Sequence, residues 1–119
     1  MIKIKRVYEP VTPADGERYL IERLWPRGIK KEGLKLKVWL KDIAPSTELR
    51  QWFAHDPIKW AEFRRRYMKE LTSDAAALRP LIAAARRGTV TLLYSARDTE
   101  HNSALVLLAF LEKKLKTKK

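Results

Sequence analysis

The run Thr89-Val90-Thr91-Leu92-Leu93-Tyr94, followed by Ser95-Ala96-Arg97-Asp98-Thr99, decides the fold. Its first part is β-branched, aliphatic or aromatic throughout and carries no charge. A short uncharged run of this kind reads as a strand buried on both faces, which requires helices packed against a sheet. A polar loop follows it, and a strongly apolar helix is expected from Glu100 to Leu115, capped by Asp98 or Thr99.

Upstream of this strand, Arg86 and Arg87 suit the negative end of a helix dipole, and Gly88 is a natural residue just past the helix end. That helix carries Ala75 to Leu78, Leu81, Ile82 and Ala85. It begins at Ser73 or Asp74, and Pro80 predicts a kink or restart inside it. Before it, Trp60, Phe63, Tyr67 and Leu71 form a stripe at helical spacing, introduced by Asp56 as cap and Pro57 at the first position. Ser46 caps a further helix with Leu49, Trp52 and Phe53 on one face. Near the N-terminus, 2–8 and 18–24 read as strands, the second ended by Pro26 and Gly28. Between 29 and 42, alternating Lys and Leu residues fit a strand or a short helix equally well.

Strands separated by helices call for crossovers rather than hairpins. The expected architecture is therefore α/β, a single compact domain over 1–119. It has a small parallel or mixed sheet with helices packed on it, and a basic, frayed tail over 113–119.

Composition narrows the function. The 119 residues hold 26 Lys and Arg against 14 Asp and Glu, a net charge of +12. Such an excess favours anionic partners. The absence of cysteine excludes disulfides, thiolate catalysis and cysteine metal sites. The N-terminal run Met1-Ile2-Lys3-Ile4-Lys5-Arg6 lacks the apolar core of a secretory signal, and the apolar run from Ala104 to Leu111 is too short to cross a bilayer. A cytoplasmic protein without a membrane partner is expected. No glycine-rich phosphate loop, zinc ligand set or serine-nucleophile elbow is present, so neither a metal nor a cofactor is expected.

Ligands of open α/β sheets favour the crevice beyond the carboxyl ends of the strands. Two segments there carry anion-binding chemistry. In the loop after Tyr94, Ser95, Arg97, His101 and Asn102 supply donors beside a helix start. In Arg23-Leu24-Trp25-Pro26-Arg27-Gly28, two arginines flank a tryptophan; guanidinium forks hold phosphate or carboxylate, and the indole offers a wall. A third segment, Trp39 to His55, contributes Lys41, Ser46, Arg50 and His55. The expected site binds a small phosphate- or carboxylate-bearing ligand through Arg23, Trp25, Arg27, Lys41, Ser46, Tyr94, Ser95, Arg97 and Asn102. His55 and His101 are its candidate proton carriers in any catalysis. Two alternatives stay open. Arg64-Arg65-Arg66, with the lysines of 30–37, could meet nucleic-acid phosphates, or the four tryptophans could form a protein interface.

The blocks Arg23-Leu24-Trp25-Pro26-Arg27-Gly28, Trp39-Leu40-Lys41-Asp42, His55-Asp56-Pro57 and Leu92-Leu93-Tyr94-Ser95-Ala96-Arg97-Asp98, with His101-Asn102, resemble the YeaO-like branch of the domain of unknown function 488 family. The resemblance runs nearly end to end. It implies a compact prokaryotic cytosolic α/β protein and assigns no activity. Longer members carry a cysteine where this chain has Tyr94, and a Cys-His-Arg run in place of Asn102-Ser103-Ala104. Thiol or metal chemistry does not transfer from them.

Overall fold

Strand β4, Val90–Tyr94, lies inside the sheet and is buried at every position. In this computed structural model, which describes residues 1–116, it is flanked by β1 (Ile2–Arg6) and β2 (Glu17–Leu20), and β2 pairs in turn with β3 (Val38–Trp39). The order is β1-β4-β2-β3 and every pairing is parallel, with Ile4 and Tyr19 both in register with Leu92. The fold is thus α/β with a parallel sheet, as the uncharged strand and the intervening helices require.

Side chains alternate across the sheet with period two. Val90, Leu92 and Tyr94 join Tyr19 and Ile21 in the larger core. Helices α2 (Thr47–Phe53), α3 (Trp60–Ser73), α4 (Ala75–Arg87) and α5 (Ser103–Lys116) contribute their apolar faces to it. The expected stripe forms there: Phe63, Tyr67 and Leu71 are buried, and Trp60 packs at the margin. On the opposite face Val7, Leu20, Leu34 and Leu93 form a smaller core, closed by Trp25, Ile29, Leu36 and Trp39. Segment 29–42 therefore contains both readings: α1 (Lys31–Leu34) ends at left-handed Lys35, and β3 follows. No described helix is long and apolar enough to cross a membrane.

Several boundaries differ from expectation for local reasons. β1 stops at Arg6 rather than Tyr8, because Glu9 accepts the Arg6 amide and returns its own N–H to the Arg6 carbonyl. β2 stops at Leu20 rather than Leu24. Ile21 still bonds the Leu93 carbonyl, but the next donor on β4, the Ser95 amide, is taken by the Glu22 carboxylate instead of a strand carbonyl. α4 continues through Pro80 without restarting. α5 begins at Ser103, because Asp98 Oδ1 accepts the amides of Glu100 and His101, and Asn102 Oδ1 accepts that of Leu105. Asn102 is the effective cap. Residues 113–116 of the expected tail are the last turn of α5, and 117–119 lie outside the described residues.

The smaller face also buries charge. Asp15 accepts from Lys5 Nζ (2.9 Å), Thr12 Oγ1 (3.0 Å) and Arg18 Nη1 (2.6 Å). Arg18 Nε reaches the Leu34 carbonyl, and Thr91 Oγ1 donates to the Asp15 carbonyl. The adjoining turn needs Gly16: its φ is +63°, and a Cβ there would stand 2.1 Å from the Thr89 carbonyl oxygen. Burial opposes ionisation of Asp15, but the bonds from Lys5, Thr12 and Arg18 outweigh it and hold the carboxyl far below the ordinary range. A carboxyl lowered in the folded state adds stability that is fully present above its unfolded value of about 3.9 and is lost as pH falls below it. Asp15→Asn should cost about 3 kcal/mol in urea unfolding at neutral pH, because it strands the buried Arg18 and the half-buried Lys5. Below pH 4 the wild type should lose stability more steeply than the variant. Parallel acid limbs would show that Asp15 does not govern this region.

Candidate functional site

Where β1, β2 and β4 reach their carboxyl ends, the chain leaves a cleft of about 460 Å³. Two charged side chains finish the strands there. Glu22 accepts the Ser95 amide at 2.9 Å and the Ser95 hydroxyl at 2.8 Å. Arg6 donates from Nε to the Ala96 carbonyl at 2.8 Å and from Nη2 to the Ser95 carbonyl at 3.2 Å. The loop after β4 is thereby held from both sides.

The wall opposite is fixed in the same manner. Arg23 donates from Nε to the Pro45 carbonyl (3.1 Å) and from Nη2 to the Ala44 carbonyl (3.0 Å), joining the end of β2 to the start of α2. Trp25 donates from Nε1 to the Ile29 carbonyl at 2.6 Å and meets Trp39 edge-on, with ring centroids 5.2 Å apart. Trp39 donates in turn to the Glu22 carbonyl. Phe53 and Phe63 stack at 4.2 Å behind the cleft.

Both histidines of the chain line this cleft. His101 Nδ1 lies 2.9 Å from Asp98 Oδ2, and its ring stands edge-on to Trp60. With the Nδ1 proton pointing at Asp98, Nε2 is the nitrogen left to accept. The Glu100 amide is the first cause holding the Asp98 carboxyl below its ordinary value; burial opposes it, and the bond with His101 adds to the lowering. His55 is exposed and follows Ala54 in a pair of left-handed residues, φ 48° and 58°. That conformation costs a non-glycine residue roughly 1–2 kcal/mol, so the chain reversal after α2 is held against strain.

Arg23, Trp25, Arg27, His55, Ser95, His101 and Asn102 all line the cleft, as does Arg50. Arg27 and Arg50 are exposed, and neither guanidinium has a hydrogen-bond or ion-pair partner among the described residues. Ser95 and Asn102 are instead committed to the fold, Ser95 to Glu22 and Asn102 to the Asp98 carbonyl and the Leu105 amide. Four expected residues lie outside the lining. Lys41 sits over the Trp39 ring at 4.4 Å. Ser46 caps α2 and is gripped by Glu70. Tyr94 points into the larger core, where burial raises its phenol above the ordinary value. Arg97 is exposed at the loop surface.

The basic run on α3 is partly neutralised. Arg65 and Arg66 both bond Glu62, and Arg66 also covers the Trp52 ring at 4.3 Å; Arg64 alone is exposed without such a tie. Among the described residues, no group of three His, Asp or Glu could hold a metal ion.

The sequence reading missed the parts played by Arg6, Glu22 and Asp98. Only the Asp98–His101 pair had a local signal, its spacing of three residues in a loop before a helix.

Fold and cleft together define a small parallel α/β domain with an arginine-rimmed cleft at its strand ends. The chain belongs to the family described as the inactive DUF488-N3 subclade, whose model matches residues 1–119. It is 47% identical over 110 residues to the uncharacterized protein YeaO of Escherichia coli K12, covering 92% of this chain and 96% of that one. It is 42% identical over 110 residues to the uncharacterized protein Rv3073c of Mycobacterium tuberculosis H37Rv, covering 92% of each. No solved structure matches it significantly.

Removing the Glu22 carboxylate leaves the Ser95 amide and hydroxyl without their acceptor. Glu22→Ala should therefore cost about 1–2 kcal/mol and speed hydrogen exchange at the Ser95 amide, whereas Glu22→Gln keeps an acceptor and should lose less. Exchange by NMR measures both. An unchanged Ser95 rate in the alanine variant would mean that the clasp does not hold the loop.

Proposed function

We propose that the cleft captures a small phosphate- or carboxylate-bearing ligand. The observation that carries this reading is a pair of unpartnered guanidinium groups, Arg27 and Arg50, on a cleft whose sole lining carboxylate, Glu22, is already bonded to Ser95. The charge facing a ligand is therefore positive. Arginine forks bind phosphate and carboxylate through paired N–H bonds. The spare capacity of Arg23 and the ring N–H of His55 add to the same wall.

The reading is of binding without turnover. The description of the subclade as inactive supports it. His101, oriented by Asp98, is the group that would carry a proton if a bound ligand were transformed. The nucleic-acid reading has less support, since two arginines of the α3 run share one glutamate. The protein-interface reading lacks an exposed tryptophan cluster, because all four tryptophans are half-buried.

Isothermal titration with inorganic phosphate and pyrophosphate tests the proposal. Both should bind, and the double variant Arg27→Ala/Arg50→Ala should weaken binding about tenfold or more, since charge-assisted bonds are worth about 1.5–3 kcal/mol each. Both residues are exposed, so the urea midpoint should hardly move. Undiminished binding by the double variant would place the anion elsewhere.

A further inference from the structure

We propose that the ligand of this cleft is a phosphomonoester carrying a flat heteroaromatic ring, the chemistry of a mononucleotide. The inference rests on the anion-binding reading above and adds what the rest of the cleft selects. A site that takes a bare phosphate needs only donors and charge. This one places Leu24, Trp25 and Pro26 between two arginines, with Phe53 and Phe63 behind. Trp25 is held twice, by its bond to the Ile29 carbonyl and by the edge contact with Trp39. A ring stacking on an indole already fixed in place loses little conformational freedom on binding. Leu24, at 60% relative exposure, leaves an apolar surface beside it without a partner in the fold.

The neutral polar groups point the same way. A sugar phosphate or hydroxy acid requires free donors and acceptors to replace the water it loses. Of the neutral polar side chains the cleft offers, Tyr8, Ser95 and Asn102 are bonded to the protein itself, and among the described residues the Ser103 hydroxyl alone is free. The Tyr8 hydroxyl donates to the Arg27 carbonyl, the Ser95 hydroxyl to Glu22, and the Asn102 amide to the Asp98 carbonyl. What stays open is charge at the rim, one serine hydroxyl and apolar face on the wall. That combination fits a planar aromatic group with an anionic tail better than a polyol, which needs several free donors and acceptors. It also makes base selectivity weak, because rings held by their faces are not read at their edges.

The test is titration of the full chain, by calorimetry and tryptophan fluorescence. The ligands are the adenosine, guanosine, cytidine and uridine 5′-monophosphates, ribose 5-phosphate, inorganic phosphate and a single-stranded oligonucleotide. The mononucleotides should bind roughly tenfold or more tightly than ribose 5-phosphate, the range that stacking on one aromatic side chain supplies. They should differ from one another by less than about tenfold, for want of edge contacts. Trp25→Leu should abolish the advantage over ribose 5-phosphate while inorganic phosphate binds as before. Since Trp25 also packs on Trp39, Leu24→Ala serves as a second variant that leaves this core contact intact and should narrow the same ratio. Equal binding of ribose 5-phosphate and mononucleotides would overturn this inference and leave the anion site standing. Failure of every phosphate compound to bind would overturn both. An oligonucleotide that binds more tightly than any mononucleotide, with a steep salt dependence, would assign the recognition to the basic surface and likewise overturn the inference.

Discussion

β4 is bonded on one side to β1 and on the other to β2, and neither face reaches water. A strand in that position must have every backbone donor and acceptor met by protein. Along the ladder its neighbours do this. Beyond Tyr94 they cannot, because β1 has turned away at Glu9 and β2 is about to meet Pro26, which has no N–H to give. The next polar groups of the chain are taken instead by Glu22, from the end of β2, and by Arg6, from the end of β1. The cleft exists because the sheet is terminated by side chains rather than by further strand.

The same device sets the charge of the cleft. Glu22 and Arg6 have opposite signs, and both face backbone rather than one another, so each is occupied without cancelling the surrounding excess. Arg23 is likewise turned onto the carbonyls of Ala44 and Pro45. The guanidinium groups left over, on Arg27 after β2 and Arg50 within α2, form no ion pair among the described residues. On the opposite face of the sheet the logic is reversed. Asp15 gathers Lys5 and Arg18 into one buried ion cluster, and that charge is internal. Net charge alone could not have separated these two roles; burial and partners do.

Features with a local cause were legible in the sequence. The uncharged run gave β4, Ser46 gave the cap of α2, Asp56-Pro57 gave the entry toward α3, and the Trp60–Phe63–Tyr67–Leu71 spacing gave its buried stripe. The end of β2 and the start of α5 were not, because each depends on a side chain reaching across the fold. Glu22 and Ser95 are 73 positions apart, and no periodicity announces such a pair. The candidate site divides the same way. Arg23, Trp25, Arg27 and His101 follow the ends of strands and fall on the cleft. Tyr94 is still within β4, on the parity of Val90 and Leu92, and so belongs to the core. Ser46 was read twice, as a cap and as a ligand group; its bonds to Leu49 and Glu70 leave it as the cap.

This division bears on whether the cleft could do more than hold a ligand. Catalysis requires groups that change partners as a reaction proceeds. Here Ser95, Asn102 and the Tyr8 hydroxyl each complete a bond that fixes a strand end, a helix start or a loop. Releasing any of them would loosen the wall it supports. His101 alone combines an orienting carboxylate with a second ring nitrogen available for a proton, and the Ser103 hydroxyl in the same lining has no hydrogen-bond partner among the described residues. Most polar side chains that build the cleft are engaged in the fold, so the groups left to meet a ligand are the rim arginines, His101 and Ser103.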